Sequence, residues 1–179
     1  EDTLYNIAII KNTSACAGSD EGSAMRKDGG FKEEGNWYKG NLHSHTVDSD
    51  GCLTPREAVE LFVEHGYSFL GISDHDVYSD YREQLNREDF IIIPAVEASA
   101  VLWKDDTLTH KQQVRNVHGI LGPESVQKQA VLPLMSHGEV VPPRMFYGEW
   151  DGAAVAQEMS DYLRSRGCLT IYNHPIWSR

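Results

Sequence analysis

Five histidines and two acids carry the chemistry legible in this chain: His43, His45, His75, His118 and His174, with Asp50 and Glu97. Imidazole nitrogens mixed with carboxylate oxygens suit zinc, manganese or iron better than calcium or magnesium, which prefer oxygen alone. In His43-x-His45 an extended backbone would point both rings to one side, since residues i and i+2 share a face there. The run His-Ser-His-Thr-Val-Asp-Ser-Asp-Gly then lets an Asp50-Gly51 turn carry a carboxylate back toward that pair. Ser73-Asp74-His75-Asp76 flanks a histidine with acids able to hold its second nitrogen, the support that a metal-bound imidazole needs. Asp74 and Asp76 are thus the candidates to orient imidazoles or to manage protons. Glu97 closes a run too apolar to be exposed, so its charge needs a buried partner, and a cation is the simplest one. His118 lies inside a strand candidate, and His174 precedes Pro175, which cannot donate to a ladder and turns the chain outward. Each feature also has a plain reading: a surface His-x-His, a solvated acidic turn, a strand-capping acid, a satisfied core histidine.

The elements that must position these residues alternate in type after Trp37. Helix 54–65 is announced by Thr54 and Glu57 as a capping box, Pro55 at the first helical position, Ala58, Leu61, Phe62 and His65 at helical spacing, and Gly66 as its stop. A second helix is expected from Asp151 as N-cap to Arg166, with Val155, Met159, Tyr162 and Leu163 on one face and Gly167 ending it. Strand candidates are Trp37–Leu42, Ser68–Ser73, Phe90–Val96, Val114–Leu121 and Cys168–Asn173, and each contains or is closely followed by a ligand-type residue. In α/β barrels the carboxyl ends of strands gather on one face, which would bring these residues into one site. Residues 11–36 are rich in Gly, Ser and charge and read as a loop or extension, so that 1–36 precede one domain at 37–179. Residues 131–150, with Pro133, Pro142 and Pro143, read as a long irregular segment.

The totals bound the reading. A chain of 179 residues, 40% hydrophobic and 24% charged, is an ordinary globular composition for one domain. No apolar run approaches the roughly 18 residues of a membrane span, and the first 30 residues lack the order of a signal peptide. The chain begins with Glu1 rather than Met, so a removed leader, and with it the cellular location, stays open. A formal net charge of -11 opposes a polyanion, and from it no long nucleic acid is expected as a partner. Cys16, Cys52 and Cys168 form no CxxC pair and indicate neither a disulfide framework nor a zinc ribbon. His65, His110 and His137 lack ligand-type neighbours. Arg144 and Lys111 are candidates to meet a substrate phosphate, Arg144 in bidentate fashion, against the plainer reading of solvated surface cations.

The order Gly-Asn-Leu-His-Ser-His-Thr, Ser-Asp-Gly, Ser-Asp-His-Asp, Pro-Ala-Val-Glu, Val-His-Gly and Asn-His-Pro resembles the polymerase-and-histidinol-phosphatase (PHP) superfamily over residues 37–176. The resemblance implies a distorted, TIM-like β/α barrel of seven strands with two or three divalent metals. It also implies His43, His45 and Glu97 on a first metal, Asp50 and His75 on a second, and His118 and His174 on a third, with Glu97 bridging. Family members usually add a later Asp-x-His, which these 179 residues do not contain, so the barrel reads as incomplete at its C-terminal end. The activity implied is hydrolysis of a small phosphate ester by water that the cations have deprotonated. The alternatives are an amidohydrolase-like metalloenzyme and a noncatalytic metal-binding domain.

Overall fold

The computed structural model describes residues 7–11, 36–108, 110–121, 134–147 and 150–174. Most of the segment read as an N-terminal loop, 12–35, lies outside the described residues, as does Pro175. Within the described residues the elements are β1 (Ile7–Lys11), β2 (Asn36–Asn41), α1 (Pro55–Glu64), β3 (Phe69–Ile72), α2 (Arg82–Leu85), β4 (Ile91–Trp103), β5 (Lys111–Leu121), β6 (Arg144–Tyr147), α3 (Gly152–Ser165) and β7 (Cys168–Tyr172).

Local chemistry sets the two longer helices. Thr54 accepts from the Glu57 amide while the Glu57 carboxylate accepts from the Thr54 amide, closing the capping box, and Gly66 at φ 75° ends the turn. The inward stripe is Ala58, Val59 and Phe62, so Leu61 is exposed where the spacing had placed it inside. Asp151 caps α3 by accepting from Ala153 and Ala154 N–H, and Val155, Met159 and Leu163 are its buried face. Gly119 on β5 leaves room for Leu163, whose methyl carbons lie 3.2 Å from where a Cβ would stand.

The strands form one sheet in the order β1-β2-β3-β4-β5-β7, with β6 beside the far end of β4. β2, β3 and the start of β4 run parallel, while β1–β2, β4–β5 and β5–β7 pair antiparallel. The seven-stranded β/α barrel implied by the resemblance therefore does not form: this is an open sheet of mixed direction, its outer strands β1 and β7 unpaired with each other among the described residues. The cause is connection length. A parallel return needs a dozen or more residues, usually a helix, and α1 provides one between β2 and β3. Between Trp103 and Lys111 only residues 104–110 are available, so β5 must return antiparallel.

β4 is longer than the expected Phe90–Val96 because it serves two neighbourhoods. Its first residues pair β3, and its remainder pairs β5 and, at Ala100–Trp103, β6. β6 lies within the segment read as irregular, just after Pro142 and Pro143, positions where proline costs no ladder bond. Two apolar clusters result. Ala58, Val59, Phe62, Leu70, Ile72, Phe90 and Ile92 pack between α1 and the parallel strands. Tyr78, Val96, Ala98, Ala100, Val117, Val155, Met159, Leu163 and Cys168 pack between α3 and the antiparallel strands. No described helix is long and apolar enough to cross a membrane.

Candidate metal centre

The loop after β2 is fixed from below by one buried acid. Asp74, at 0% exposure, accepts from Thr46 N–H at 2.7 Å, Thr46 Oγ1 at 2.9 Å, Ser49 Oγ at 2.7 Å and Ser79 Oγ at 3.1 Å. These bonds hold the segment that carries His45 and Asp50. Gly51 lets the loop fold back flush, since a Cβ there would stand 2.3 Å from the His45 carbonyl oxygen. The Tyr81 hydroxyl donates to Asp48 and ties the same loop to the start of α2. On the β2 side, Asn41 Oδ1 accepts from the His43 amide at 2.9 Å and turns the chain toward the site.

Glu97 is the centre of the arrangement. It is not the end of its strand but a position inside β4, just beyond the last parallel pair Ile72–Pro94, bridged to His75 on one side and opposite His118 of β5 on the other. Only 1% of it is exposed. Its Oε2 lies 3.1 Å from His43 Nε2, 3.1 Å from His45 Nε2 and 3.4 Å from His75 Nδ1. Its Oε1 accepts from Asn173 Nδ2 at 2.6 Å and lies 3.1 Å from His174 Nε2. Burial opposes ionisation of Glu97, yet hydrogen bonds from His43 and His45 outweigh it and hold the carboxyl far below the usual carboxylate range. Burial also pulls against protonation of His45, but Glu97 prevails and raises that imidazole above its ordinary value.

The other candidates fall in three groups. Asp50, largely exposed, approaches His45 Nδ1 at 3.5 Å and His75 Nε2 at 3.7 Å from the mouth of the site. His118 is enclosed, its ring 5.0 Å from that of His43, and burial first, then the charge of His43, pushes it down to about 3, so it is a neutral imidazole at ordinary pH. Asp76, in a left-handed conformation at φ 58°, accepts from Ser99 N–H at 2.7 Å, and burial raises its carboxyl. Arg144 starts β6 and pairs with Glu158 of α3 at 3.2 Å, and Lys111 lies over the Trp103 ring. His65 bonds the Leu61 carbonyl at the end of α1, and His137 accepts from Asp80 N–H. The structure thus brings His43, His45, Asp50, His75, Glu97, His118 and His174 together, sets Asp74 beneath the loop, and occupies Arg144 elsewhere. Asn173 is the contact that residue types did not reveal; its only signal was its place beside His174 at a strand end.

This donor set suits cations. His43 Nε2 and His45 Nε2 sit 3.0 Å apart and each lies 3.1 Å from the same Glu97 oxygen, so that three ligand-type atoms converge on one small space. Among the described residues the ring atoms His45 Nδ1, His75 Nδ1 and His118 Nε2 are enclosed without a hydrogen-bond partner. His43, Glu97 and His174 form one triad and His45, His75 and Glu97 another, with ligand atoms within 4.8 Å of one another in each. A tetrahedral zinc site with arms of about 2.0–2.1 Å has edges of about 3.4 Å, close to the separations around Glu97.

No family model matches the chain. Over 70 residues it is 43% identical to the 5'-3' exoribonuclease Rnm of Escherichia coli (strain K12), a stretch covering 36% of this chain and 24% of that protein. The Salmonella typhimurium Rnm is 41% identical over the same length, again 24% of that protein. The DNA polymerase/3'-5' exonuclease PolX of Bacillus subtilis (strain 168) is 38% identical over 50 residues, 28% of this chain and 9% of that protein. The match thus spans about a quarter of the exoribonucleases and less of the polymerase. These relatives overturn the exclusion of long nucleic acids drawn from net charge, because Rnm is named for acting on RNA. Overall charge governs binding along a backbone through released counterions, whereas the field inside a cleft is set by whatever cations it holds.

Proposed function

We propose that this chain carries the metal centre of a PHP-type hydrolase that cleaves phosphoric ester bonds, with the end of an RNA chain as its substrate. The observation that carries this reading is Glu97, a carboxylate 1% exposed whose two oxygens are approached by four imidazoles, those of His43, His45, His75 and His174. Four imidazoles converging on one buried carboxylate, with ligand atoms within 4.8 Å of one another in each triad, are a donor set that cations could share. The resemblance of the motifs and the partial similarity to two kinds of nuclease point the same way.

In this reading His43, His174 and Glu97 would hold one divalent cation, and His45, His75 and Glu97 another. Bound cations would lower the pKa of water and polarise a phosphoryl oxygen. Asp50, exposed at the mouth between His45 and His75, closes the second triad and is placed to take a proton from the attacking water. His118, enclosed behind His43 as a neutral imidazole, would be a further nitrogen donor available to a cation. Asp74 touches no ligand and holds the loop. The substrate would enter end first, its phosphate drawn to the cations rather than its backbone laid along the surface.

The test is hydrolysis of a 5'-phosphorylated RNA oligonucleotide and of a nucleoside monophosphate with manganese or zinc added, comparing the protein with Glu97→Gln. The substitution keeps the shape and removes the charge. Metal content should fall below one ion per chain and RNA hydrolysis by at least about a hundredfold, the scale at which losing one electrostatic contact acts on a rate. Activity within twofold of the parent would overturn the reading, as would an absence of hydrolysis of both substrates by a metal-loaded parent.

A further inference from the structure

Glu97 can serve two cations only if its carboxylate plane is held fixed between the two triads. The imidazoles of His43, His45 and His75 gather on Oε2, while Oε1 has His174 alone among them. The remaining contact to Oε1 is the Asn173 carboxamide at 2.6 Å, shorter than either Glu97 contact to a ring nitrogen of His43 or His174. Only the NH2 end of that amide can face an anionic oxygen, so the direction of the bond is fixed by charge. A carboxylate oxygen has two lone pairs, and with one taken by Asn173 the other is left for the side of His174, whose Nε2 lies 3.1 Å away.

Asn173 is itself held by the backbone. It follows the last residue of β7, it is buried, and its amide donates to the Asn116 carbonyl at 3.1 Å. Asn116 lies two residues before His118 on β5, so the main chain that carries Asn173 is registered on the strand facing Glu97. The next residue, His174, adopts a left-handed φ of 24°, which turns its ring back toward the same Oε1. Two consecutive side chains thus approach one oxygen, one as a donor and one as a ligand.

Resting on the metal reading above, we infer that Asn173 is a positioning residue that sets which way Glu97 presents Oε1 and thereby builds the half of the centre shared with His174. It touches neither cation nor substrate. Its removal should act on one ion and leave the other.

The experiment titrates Mn2+ into the metal-free protein, into Asn173→Ala and into Asn173→Leu, which keeps the volume and lacks the donor. Calorimetry reads the affinity of each ion, and electron paramagnetic resonance reads whether two ions are coupled. The parent should bind two Mn2+ with the broadened signal of a coupled pair. In either variant one ion should bind at least tenfold more weakly, the usual consequence of losing a partner that orients a metal ligand, while the other stays within threefold. At one equivalent of Mn2+ the variants should show the sharp six-line signal of an isolated ion. The metal-free variants should unfold at a lower temperature than the parent, because the buried Glu97 loses a donor, but still in a single transition and to the same extent as each other. A parent that binds no Mn2+ would remove the metal reading and this inference together. A parent that binds two, with variants that keep both ions or lose both equally, would leave the metal reading standing and overturn the role of Asn173.

Discussion

The two halves of the sheet deliver ligands in different ways. In the parallel half His43, His45, Asp50 and His75 stand on loops beyond strand ends, and the segment carrying His45 and Asp50 is held by hydrogen bonds gathered by Asp74. In the antiparallel half Glu97 and His118 project from the middle of paired strands, face to face across the ladder, and only His174 follows a strand end. A loop ligand is placed by a few side-chain bonds and can be moved by changing one of them. A ladder ligand is placed by the sheet register, and a slip of one residue would send it to the opposite face. The comparison teaches that one centre joins an adjustable rim to a fixed floor.

The largest effects should come from the cores beneath each half. Leu70→Ala, under α1, and Leu163→Ala, under α3, each remove a side chain at 0% exposure and should cost about 2–5 kcal/mol. Because β4 supplies Ile92 to one core and Val96, Ala98 and Ala100 to the other, both variants should shift one common transition in urea. A second transition, moved by Leu163→Ala alone, would show that the halves unfold separately. Asp74→Asn tests the rim: it places an amide donor against Thr46 N–H, Thr46 Oγ1, Ser49 Oγ or Ser79 Oγ and should cost about 1–3 kcal/mol. Hydrogen exchange in that variant should quicken at residues 46–51 and stay unchanged along β5. Equal quickening in β5 would erase the distinction between rim and floor. The smallest effect is expected at Thr54→Ala, which removes the α1 cap far from any ligand: about 1 kcal/mol of stability, with Mn2+ affinity unmoved.

What the sequence discloses divides along the same line. Both long helices are legible because their signals are local: Thr54, Pro55 and Gly66 for one, Asp151 and Gly167 for the other. The strand direction on the far side is not, since it follows from how few residues join Trp103 to Lys111, and that count is visible only once both strand ends are known. Glu97 and Ser99 hid the length of β4. A polar pair inside an apolar run reads as the end of a strand, whereas here both residues lie on one face of the pleat while Val96, Ala98 and Ala100 fill the core on the other. The ligand types are recognisable from sequence as a set. Which of them share an oxygen of Glu97 is a matter of side-chain direction, and so the Asn173 contact and the separate duty of each Glu97 oxygen emerge only in three dimensions.

The reach of Glu97 along the chain also orders events in time. Its contacts extend 54 residues back to His43 and 77 residues forward to His174. A carboxylate taken out of water before its neighbours arrive is an uncompensated buried charge, a penalty of several kcal/mol. Pairing of β4 with β5 is local and fast, but it cannot bury Glu97 at low cost until β2 and β7 have both come in from opposite directions of the sequence. Burial of Glu97 as an anion at low cost is therefore coupled to the arrival of strands from both directions of the sequence, and early burial would require the carboxyl to take up a proton.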